Sequence, residues 1–295
     1  MPFKTLTLED GAVFAEQAAK HPLTGSDANF TNMFIWMNYY GFSWTREGDC
    51  LIVRSCPGEG EGECFCFPPL GDFKNAGVWD FAAASMEKPL FSRVPREAME
   101  FVAKERPSWR IEPDRDNDDY VYLNEKLKTL SGRSMHQKKN HYNYFRQNHK
   151  HSLEPITPAL HDELVAVEDK WLTSKLEAGV SESHLIKEKE AIHAILTHFD
   201  ELGVAGLAVK VDGAIEAFSV GEMLNEDTVV VHVEKGNPEL RGIYVALFSN
   251  FCGLIFPDAV YVNREQDLGL PGLRRSKESL KPLRMVEKFK IYPEP

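Results

Sequence analysis

The period at which apolar residues recur changes along this chain, and each change marks a predicted element. Large apolar and aromatic side chains between Asp27 and Tyr40 predict a helix that faces the core. Elsewhere in the first half, alternating runs predict strands, and apolar residues three or four positions apart predict helices. The predicted elements are strands at 50–55, 63–67, 109–112 and 120–123, and helices at 78–87 and 95–105. The first half is therefore mixed α/β.

The second half is predicted to begin with two helices and to continue as a sheet. Thr157 can cap a helix whose first residue is Pro158, and a second helix covers about 182–202 and ends at Gly203. The next elements are strands at 204–211, 214–224 and 228–234, a helix at 240–255, and a strand at 260–265. The helical connection between the last two strands is long enough for a right-handed crossover, so we expect those strands to be parallel neighbours.

Polar side chains gather where these two parallel strands end. His232 and Glu234 share one face of the first strand, and Asn263 and Glu265 share one face of the second, because strand side chains alternate with a period of two. Buried carboxylates and carboxamides need partners or a ligand. Open α/β sheets keep ligand crevices at the carboxyl ends of parallel strands. These four residues are therefore the catalytic candidates.

The second of these strands leads into a loop that contains both signs of charge. Gln266 and Asp267 precede a turn of glycines and a proline, and Arg274, Arg275 and Lys277 follow it. Gln266, Asp267, Arg274 and Lys277 are candidates for binding a substrate, with Arg274 and Lys277 suited to an anionic group. A loop stabilised by an ion pair of Asp267 with Arg274 or Arg275 explains the same residues, and both interpretations stay open.

Charge changes this picture in one segment. The chain has 295 residues, 43% hydrophobic and 27% charged, and its net charge of −11 argues against a generally basic nucleic-acid-binding protein. Residues 126–153, however, contain no acidic side chain and many basic ones. Lys138, Lys139 and His141 lie there on a predicted helix and suit an anionic partner, tRNA phosphates among them. A solvated basic helix that connects two acidic domains is the alternative.

Length, apolar runs and cysteines set the remaining expectations. We expect two domains, at 1–130 and 154–295, joined by a basic helical connector at 131–153. No stretch approaches the ~18 apolar residues of a membrane span, and the N-terminal residues lack a signal-peptide pattern, which favours a cytoplasmic protein. Five cysteines occur without a fourth ligand at zinc spacing, so we expect reduced thiols and no metal.

The order of elements and three short sequence words resemble a known group of transferases. The words are Lys138-Lys139-Asn140-His141, His232-Val233-Glu234-Lys235, and the run from Asn263 to Gly269 with Gly272-Leu273-Arg274. They resemble the family related to the C-terminal domain of bacterial phosphatidylglycerol lysyltransferase. The resemblance implies an α/β (α+β) fold of two tandem GNAT-like domains, each a mixed, mostly antiparallel sheet with flanking helices.

The resemblance also implies an activity, the transfer of an aminoacyl unit from aminoacyl-tRNA to an amine or hydroxyl of a small molecule or peptide. The acceptor amine must then lose a proton. His232 is the candidate base, since imidazole titrates near neutral pH, and Glu234 or Glu265 would orient it or replace it. Asn263 could donate to the developing oxyanion. A hydrogen-bonded core histidine is the alternative for His232.

The expected donor is aminoacyl-tRNA rather than acetyl-CoA. Acetyl-CoA transferases bind pyrophosphate with backbone N–H groups at a helix start. The corresponding segment here contains Pro238, which has no N–H, and Glu239, which is negatively charged. Two other functions stay open: a non-catalytic module that binds RNA or another anionic partner, and a conventional acetyl-CoA-dependent N-acetyltransferase.

Overall fold

The computed structural model describes residues 2–58, 62–177 and 182–294. Its strands are β1 (Lys4–Thr5), β2 (Phe42–Glu47), β3 (Cys50–Ser55), β4 (Phe65–Cys66), β5 (Phe91–Pro95), β6 (Arg110–Pro113), β7 (Asp119–Leu123), β8 (His151–Pro155), β9 (Ala205–Val211), β10 (Ala214–Met223), β11 (Thr228–Gly236), β12 (Tyr261–Asn263), β13 (Arg284–Val286) and β14 (Lys288–Tyr292). Its helices are α1 (Gly11–Lys20), α2 (Phe30–Ile35), α3 (Met37–Tyr40), α4 (Ala76–Ala84), α5 (Arg96–Glu105), α6 (Asn124–Thr129), α7 (His136–Asn148), α8 (His161–Glu177), α9 (Glu182–Thr197), α10 (Ile243–Leu254) and α11 (Pro271–Ser279).

The strands form two seven-stranded mixed sheets with flanking helices, which confirms the expected α+β architecture. The first sheet has the order β1-β2-β3-β4-β5-β14-β6, and the second has the order β13-β7-β12-β11-β10-β9-β8. Each sheet contains a parallel pair, β4 with β5 and β11 with β12. In both cases three antiparallel strands lead to a crossover helix, α4 or α10, and then to the parallel strand. The fold thus repeats one unit that no internal sequence repeat reveals.

The chain divides into two units that are not continuous in sequence. Unit 1 comprises Met1–Tyr120, Glu265–Arg275 and Arg284–Pro295, and unit 2 comprises Val121–Arg264 and Ser276–Leu283. This division differs from the expected boundaries for two reasons. Strand β14 pairs with β5 and β6, so the chain returns to the first sheet. Strand β8 pairs with β9, so the segment expected to be a connector belongs to unit 2.

Most expected elements are present with shifted ends, and two differ in kind. The single helix expected between Asp27 and Tyr40 is two helices, α2 and α3, separated at Trp36. The strand expected to reach Glu265 ends at Asn263. Glu265 has a φ of 54°, in the left-handed region that strands do not use. The connection between the strands expected at 50–55 and 63–67 lies partly outside the described residues.

Two of the five cysteines correct the expectation of reduced thiols. Cys56 and Cys64 form a disulfide, whereas Cys50, Cys66 and Cys252 are free and buried. The register of the β3–β4 hairpin explains the bond. Because Ser55 pairs with Phe65, the next residues outward on the two strands, Cys56 and Cys64, lie opposite each other.

Unit 2 builds its core between the sheet and α10. This helix is apolar almost throughout, and Ile243, Ala246 and Leu247 pack on residues of β9 and β10. Phe145 of α7 joins the same cluster, as its helical spacing predicts. Within the described ranges, no helix is long and apolar enough to cross a bilayer.

Unit 1 contains a buried ion cluster centred on Lys288. The Lys288 ammonium is paired with the carboxylates of Asp27 and Asp119, and all three side chains are buried. Ser26 donates to Asp119, and the Arg93 guanidinium lies 3.2 Å from Asp27. Burial alone would lower the pKa of Lys288, but the two carboxylates raise it. Three segments that are distant in sequence therefore meet at one side chain.

Lys288→Met should destabilise the protein strongly. The substitution keeps the length of the side chain but leaves two buried carboxylates without their cation, and breaking a buried pair in this way costs about 3–5 kcal/mol. Urea denaturation at pH 7 measures the loss. Lys104→Met, at a mostly exposed lysine, is the control and should change the free energy of unfolding by less than about 0.5 kcal/mol. Equal effects of the two substitutions would contradict the assigned role of the cluster.

Candidate functional site

The two parallel strands of unit 2 separate before they end. Strand β12 pairs with β11 only from Thr228↔Tyr261 to Val230↔Asn263, whereas β11 continues to Gly236. On its other side β11 stays paired with β10 along this length. The second half of β11 therefore has an edge that β12 does not cover, at the carboxyl ends of parallel strands where α/β sheets bind ligands.

Arg264 and Glu234 form an ion pair at this divergence. The guanidinium donates to the Glu234 carboxylate at 2.6 Å, and both side chains are mostly buried. It also lies 5.3 Å from the centre of the Phe248 ring on α10. Burial alone would lower the pKa of Arg264, but Glu234 raises it. The Arg264 guanidinium therefore stays charged inside the unit.

Helix α7 brings further positive charge to the same place. Lys138 is half-buried, and its pKa is lowered by burial and then by the nearby Arg264. Burial also lowers the pKa of His141, with smaller contributions from Arg241 and Lys138. We call Lys138, His141, Arg241 and Arg264 the cationic cluster. Within this cluster Arg264 forms the ion pair with Glu234, whereas the charged neighbour that acts on Lys138 is another cation, Arg264.

The start of α10 is not arranged as an open phosphate site. The Glu239 N–H donates to the Asn237 side chain at 3.0 Å, and the Leu240 N–H donates to the Asn237 carbonyl at 3.2 Å. Gly242, the residue before α10, has a φ of 91°, and a Cβ there would lie 2.2 Å from the His141 carbonyl oxygen. The backbone of α7 therefore abuts this helix start. In the described ranges, no three His, Cys, Asp or Glu side chains are grouped to bind a metal.

His232 lies at an irregularity of β11. The register with β10 passes from Val233 to Val231, which leaves His232 as the extra residue of a β-bulge. Its side chain is 0% exposed, and its Nε2 lies 3.0 Å from a carboxylate oxygen of Glu222. The structure thus shows a buried, hydrogen-bonded histidine, and its acidic partner is one that the sequence analysis did not name.

The other two catalytic candidates belong to different units. Asn263 is fully buried at the end of β12 in unit 2. Glu265 belongs to unit 1, where its carboxylate accepts a hydrogen bond of 3.1 Å from Asn32. The expectation that both project from one strand face is wrong, because β12 ends between them.

Asp267 organises the polar loop of unit 1. Its buried carboxylate accepts from Arg274 Nε and Nη2, each at 2.9 Å, and from the Tyr120 hydroxyl at 2.6 Å. Arg115 and the Gly269 N–H also donate to it. Burial alone would raise the pKa of Asp267, but the hydrogen bonds from Arg274 and Tyr120 hold it well below its usual range. The ion-paired loop, one of the two open interpretations, is therefore present.

The remaining loop candidates have separate surroundings. Arg274 also donates to Asp116 at 2.8 Å, and Arg275 is exposed. Gln266 is partly buried, and its side-chain oxygen has no hydrogen-bond partner among the described residues. Lys277 belongs to unit 2, where its ammonium donates to the Arg264 carbonyl. On α7, Lys139 is exposed, in contrast to Lys138.

Sequence reasoning missed Arg264, Arg241 and Glu222. Arg264 was overlooked because the predicted strand extended past its real end, and only the face that carries Asn263 and Glu265 was considered. Arg264 could have been predicted from Glu234, because a carboxylate on a buried strand needs a cationic partner. Glu222 offers no comparable signal, because its contact with His232 depends on a bulge that apolar periodicity does not report.

The family assignment follows from a model match along nearly the whole chain. The model described as "Phosphatidylglycerol lysyltransferase, C-terminal" matches residues 19–292. The chain belongs to this family. The family indicates a transferase of aminoacyl or acyl groups. No protein of curated function matches the sequence.

Solved structures with a similar fold include tandem GNAT-like proteins. A conserved protein of unknown function from Bacteroides thetaiotaomicron is 28% identical over 100% of both chains, with a TM-score of 0.91. L-PGS from Bacillus licheniformis is 16% identical over 98% of this chain and 92% of its own, with a TM-score of 0.68. A tandem GNAT protein from the clavulanic acid biosynthesis pathway is 11% identical over 100% and 99%, with a TM-score of 0.50.

Asp267→Asn should destabilise the protein at pH 7 but not at low pH. Because the pKa of Asp267 is lower in the folded state, its stabilising effect is complete above the unfolded pKa, near 4, and is lost as the pH falls further. We expect a loss of about 2 kcal/mol at pH 7 that shrinks below pH 4. Urea midpoints between pH 7 and pH 2.5 test this, with Glu87→Gln, at an exposed residue, as control. A difference that does not change with pH would contradict the ion-pair assignment.

Proposed function

We propose that this protein transfers an aminoacyl unit from aminoacyl-tRNA to an amine or hydroxyl acceptor. The observation that supports the proposal is the cationic cluster, which adjoins the divergence of β11 and β12 in unit 2. Lys138, Arg241 and Arg264 supply positive charge there, and Glu234 is paired with Arg264. Family membership supports transferase chemistry, and the position of the cluster supports an anionic donor.

Lys138 is the member of the cluster best suited to an added anion. It is half-buried, and the charged group that acts on its pKa is another cation, Arg264. Burial of an ammonium without a counter-charge is unfavourable. A phosphate or a developing oxyanion beside Lys138 would offset that cost. Arg264, already paired with Glu234, would mainly add to the local positive potential.

Aminoacyl transfer forms one bond to the acyl carbon and breaks another. The acceptor nitrogen or oxygen attacks the ester carbonyl of the donor, the acceptor proton passes to a base, and the bond to the ribose oxygen breaks as that oxygen takes a proton from the base and leaves as a hydroxyl. His232 remains the proposed base. Glu222, rather than Glu234 or Glu265, is its proposed orienting carboxylate, because Glu222 is the group that His232 contacts at 3.0 Å.

A binding function without catalysis rests on the same cluster and is the second candidate. A basic helix and a buried arginine suit an RNA phosphate whether or not transfer follows. The two functions differ in outcome, because only a transferase would discharge aminoacyl-tRNA faster than the spontaneous hydrolysis of its ester. Acid-gel analysis of charged tRNA incubated with the protein and a mixture of amines separates them.

Lys138→Ala should weaken binding of aminoacyl-tRNA by about tenfold, since a charge-assisted contact contributes about 1.5 kcal/mol. Filter binding at constant salt measures the affinity, and native mass spectrometry confirms a one-to-one adduct. Lys139→Ala is the matched control, because it removes the same charge from an exposed position of the same helix. Its effect should be no more than about twofold.

Equal effects of these two substitutions would contradict the proposed contact, because they would indicate only a general dependence on surface charge. Failure of the unmodified protein to bind charged tRNA at low salt would reject the proposed donor itself.

Acetyl-CoA should bind with a dissociation constant above about 1 mM, which corresponds to less than about 4 kcal/mol of binding free energy. The reason is that Pro238 has no N–H, Asn237 already bonds the next two N–H groups, and α7 abuts Gly242. Isothermal titration calorimetry with acetyl-CoA makes the measurement. Micromolar affinity would favour the conventional acetyltransferase instead.

A further inference from the structure

Unit 2 contains a cleft that the proposed donor site does not use. Its volume is about 200 Å³, and its lining includes Lys170 and Trp171 of α8, Glu216 of β10, and Asn237 and Glu239 from the segment after β11. This volume is below the roughly 300–1,000 Å³ of pockets for drug-sized ligands. The cleft therefore suits a small molecule or one extended side chain.

A buried charge cluster adjoins the Trp171 wall of this cleft. The Lys235 ammonium lies 3.1 Å from the centre of the Trp171 ring, 2.9 Å from a Glu188 oxygen and 3.5 Å from a Glu168 oxygen. Lys235 and Glu168 are almost fully buried, whereas Glu188 is partly exposed. Two carboxylates thus surround one ammonium next to the cleft.

The lining of the cleft adds further negative charge. Glu216 accepts from the Asn237 side chain at 2.9 Å, and one of its oxygens lies 3.9 Å from the Lys170 ammonium, which is mostly exposed. Glu239 is exposed at the rim. Together with Glu168 and Glu188, four carboxylates face two ammonium groups. The excess of negative charge favours a cationic ligand and disfavours a phosphate.

We propose that this cleft binds a primary alkylammonium group, with its alkyl chain against Trp171 and its charge near Glu216 and Glu239. The inference rests on the proposed function, in which an amine accepts the acyl group, and it names the class of that acceptor: a diamine, with one amine bound as ammonium in the cleft and the second, neutral amine left to attack the acyl carbon. A tryptophan wall with nearby carboxylates is suited to an amine because it combines apolar contact for the alkyl chain with ion pairing for the ammonium.

The pH dependence of binding provides a readout specific to this cleft. Burial raises the pKa of Glu168 to about 7, and Lys235 partly opposes that rise while Glu188 and Asp169 add to it. Burial also lowers the pKa of Lys235, which the two glutamates oppose. Since Glu168 gains its negative charge as the pH passes about 7, an alkylammonium ligand should bind more tightly at pH 8 than at pH 6.

The test is calorimetric titration of the full chain with cadaverine, a five-carbon diamine. Glutarate, a five-carbon dicarboxylate, is the matched anionic probe and should not bind. We expect Glu216→Gln and Glu239→Gln each to weaken cadaverine binding by about fivefold, and Trp171→Leu by about tenfold. Glu190→Gln, at an exposed residue of α9, should leave the affinity unchanged. Because Glu239 is exposed, its substitution tests the site without risk to folding.

Three results would overturn the proposal: glutarate binding as tightly as cadaverine, cadaverine affinity unaffected by the Glu216 and Glu239 substitutions, or no cadaverine binding at millimolar concentration at pH 8. The titration contains no tRNA. Failure of the donor proposal would therefore appear only in the tRNA experiments, and failure of the amine site only here.

Discussion

The ion pair between Arg264 and Glu234 is the buried contact on which the arrangement of charged side chains in unit 2 depends. It lies where β11 and β12 separate, and it provides a counter-charge for a carboxylate on a buried strand. Because this pair is neutral as a whole, the net positive charge nearby comes from Lys138 and Arg241. The helix that carries Lys138, α7, can approach this closely because Gly242 has no side chain to collide with the His141 carbonyl.

Two consecutive residues of β11 connect regions of opposite charge. Glu234 pairs with Arg264, whereas Lys235 pairs with Glu168 and Glu188. Successive side chains of a strand project to opposite faces, so one dipeptide serves both a positive and a negative region. This explains how a chain with a net charge of −11 can contain a region of positive charge and, separately, a region of negative charge.

The sequence predicted those features that depend on local pattern. The parallel pair, the crossover helix and the polar residues at the strand ends all followed from periodicity and connection length. The Cys56–Cys64 bond could have been predicted too, because the two cysteines lie at the facing ends of the strands predicted at 50–55 and 63–67. What could not be predicted depends on non-local geometry: where β12 ends, which bulge re-aims His232 towards Glu222, and which helix approaches Gly242. The role of Glu168 could be predicted in part, because a carboxylate at helical spacing from Leu164 and Trp171 is expected to be buried and to need a partner.

The discontinuity of unit 1 constrains the order in which the protein can fold during synthesis. Strand β14 lies between β5 and β6, yet the ribosome makes it after every residue of unit 2. Until it emerges, β5 and β6 lack the strand that joins them, and Asp27 and Asp119 lack the ammonium of Lys288. The N-terminal unit is therefore completed last, in contrast to the usual sequence in which domains fold as they leave the ribosome. Its exposed strand edges are those that a chaperone would need to cover during translation.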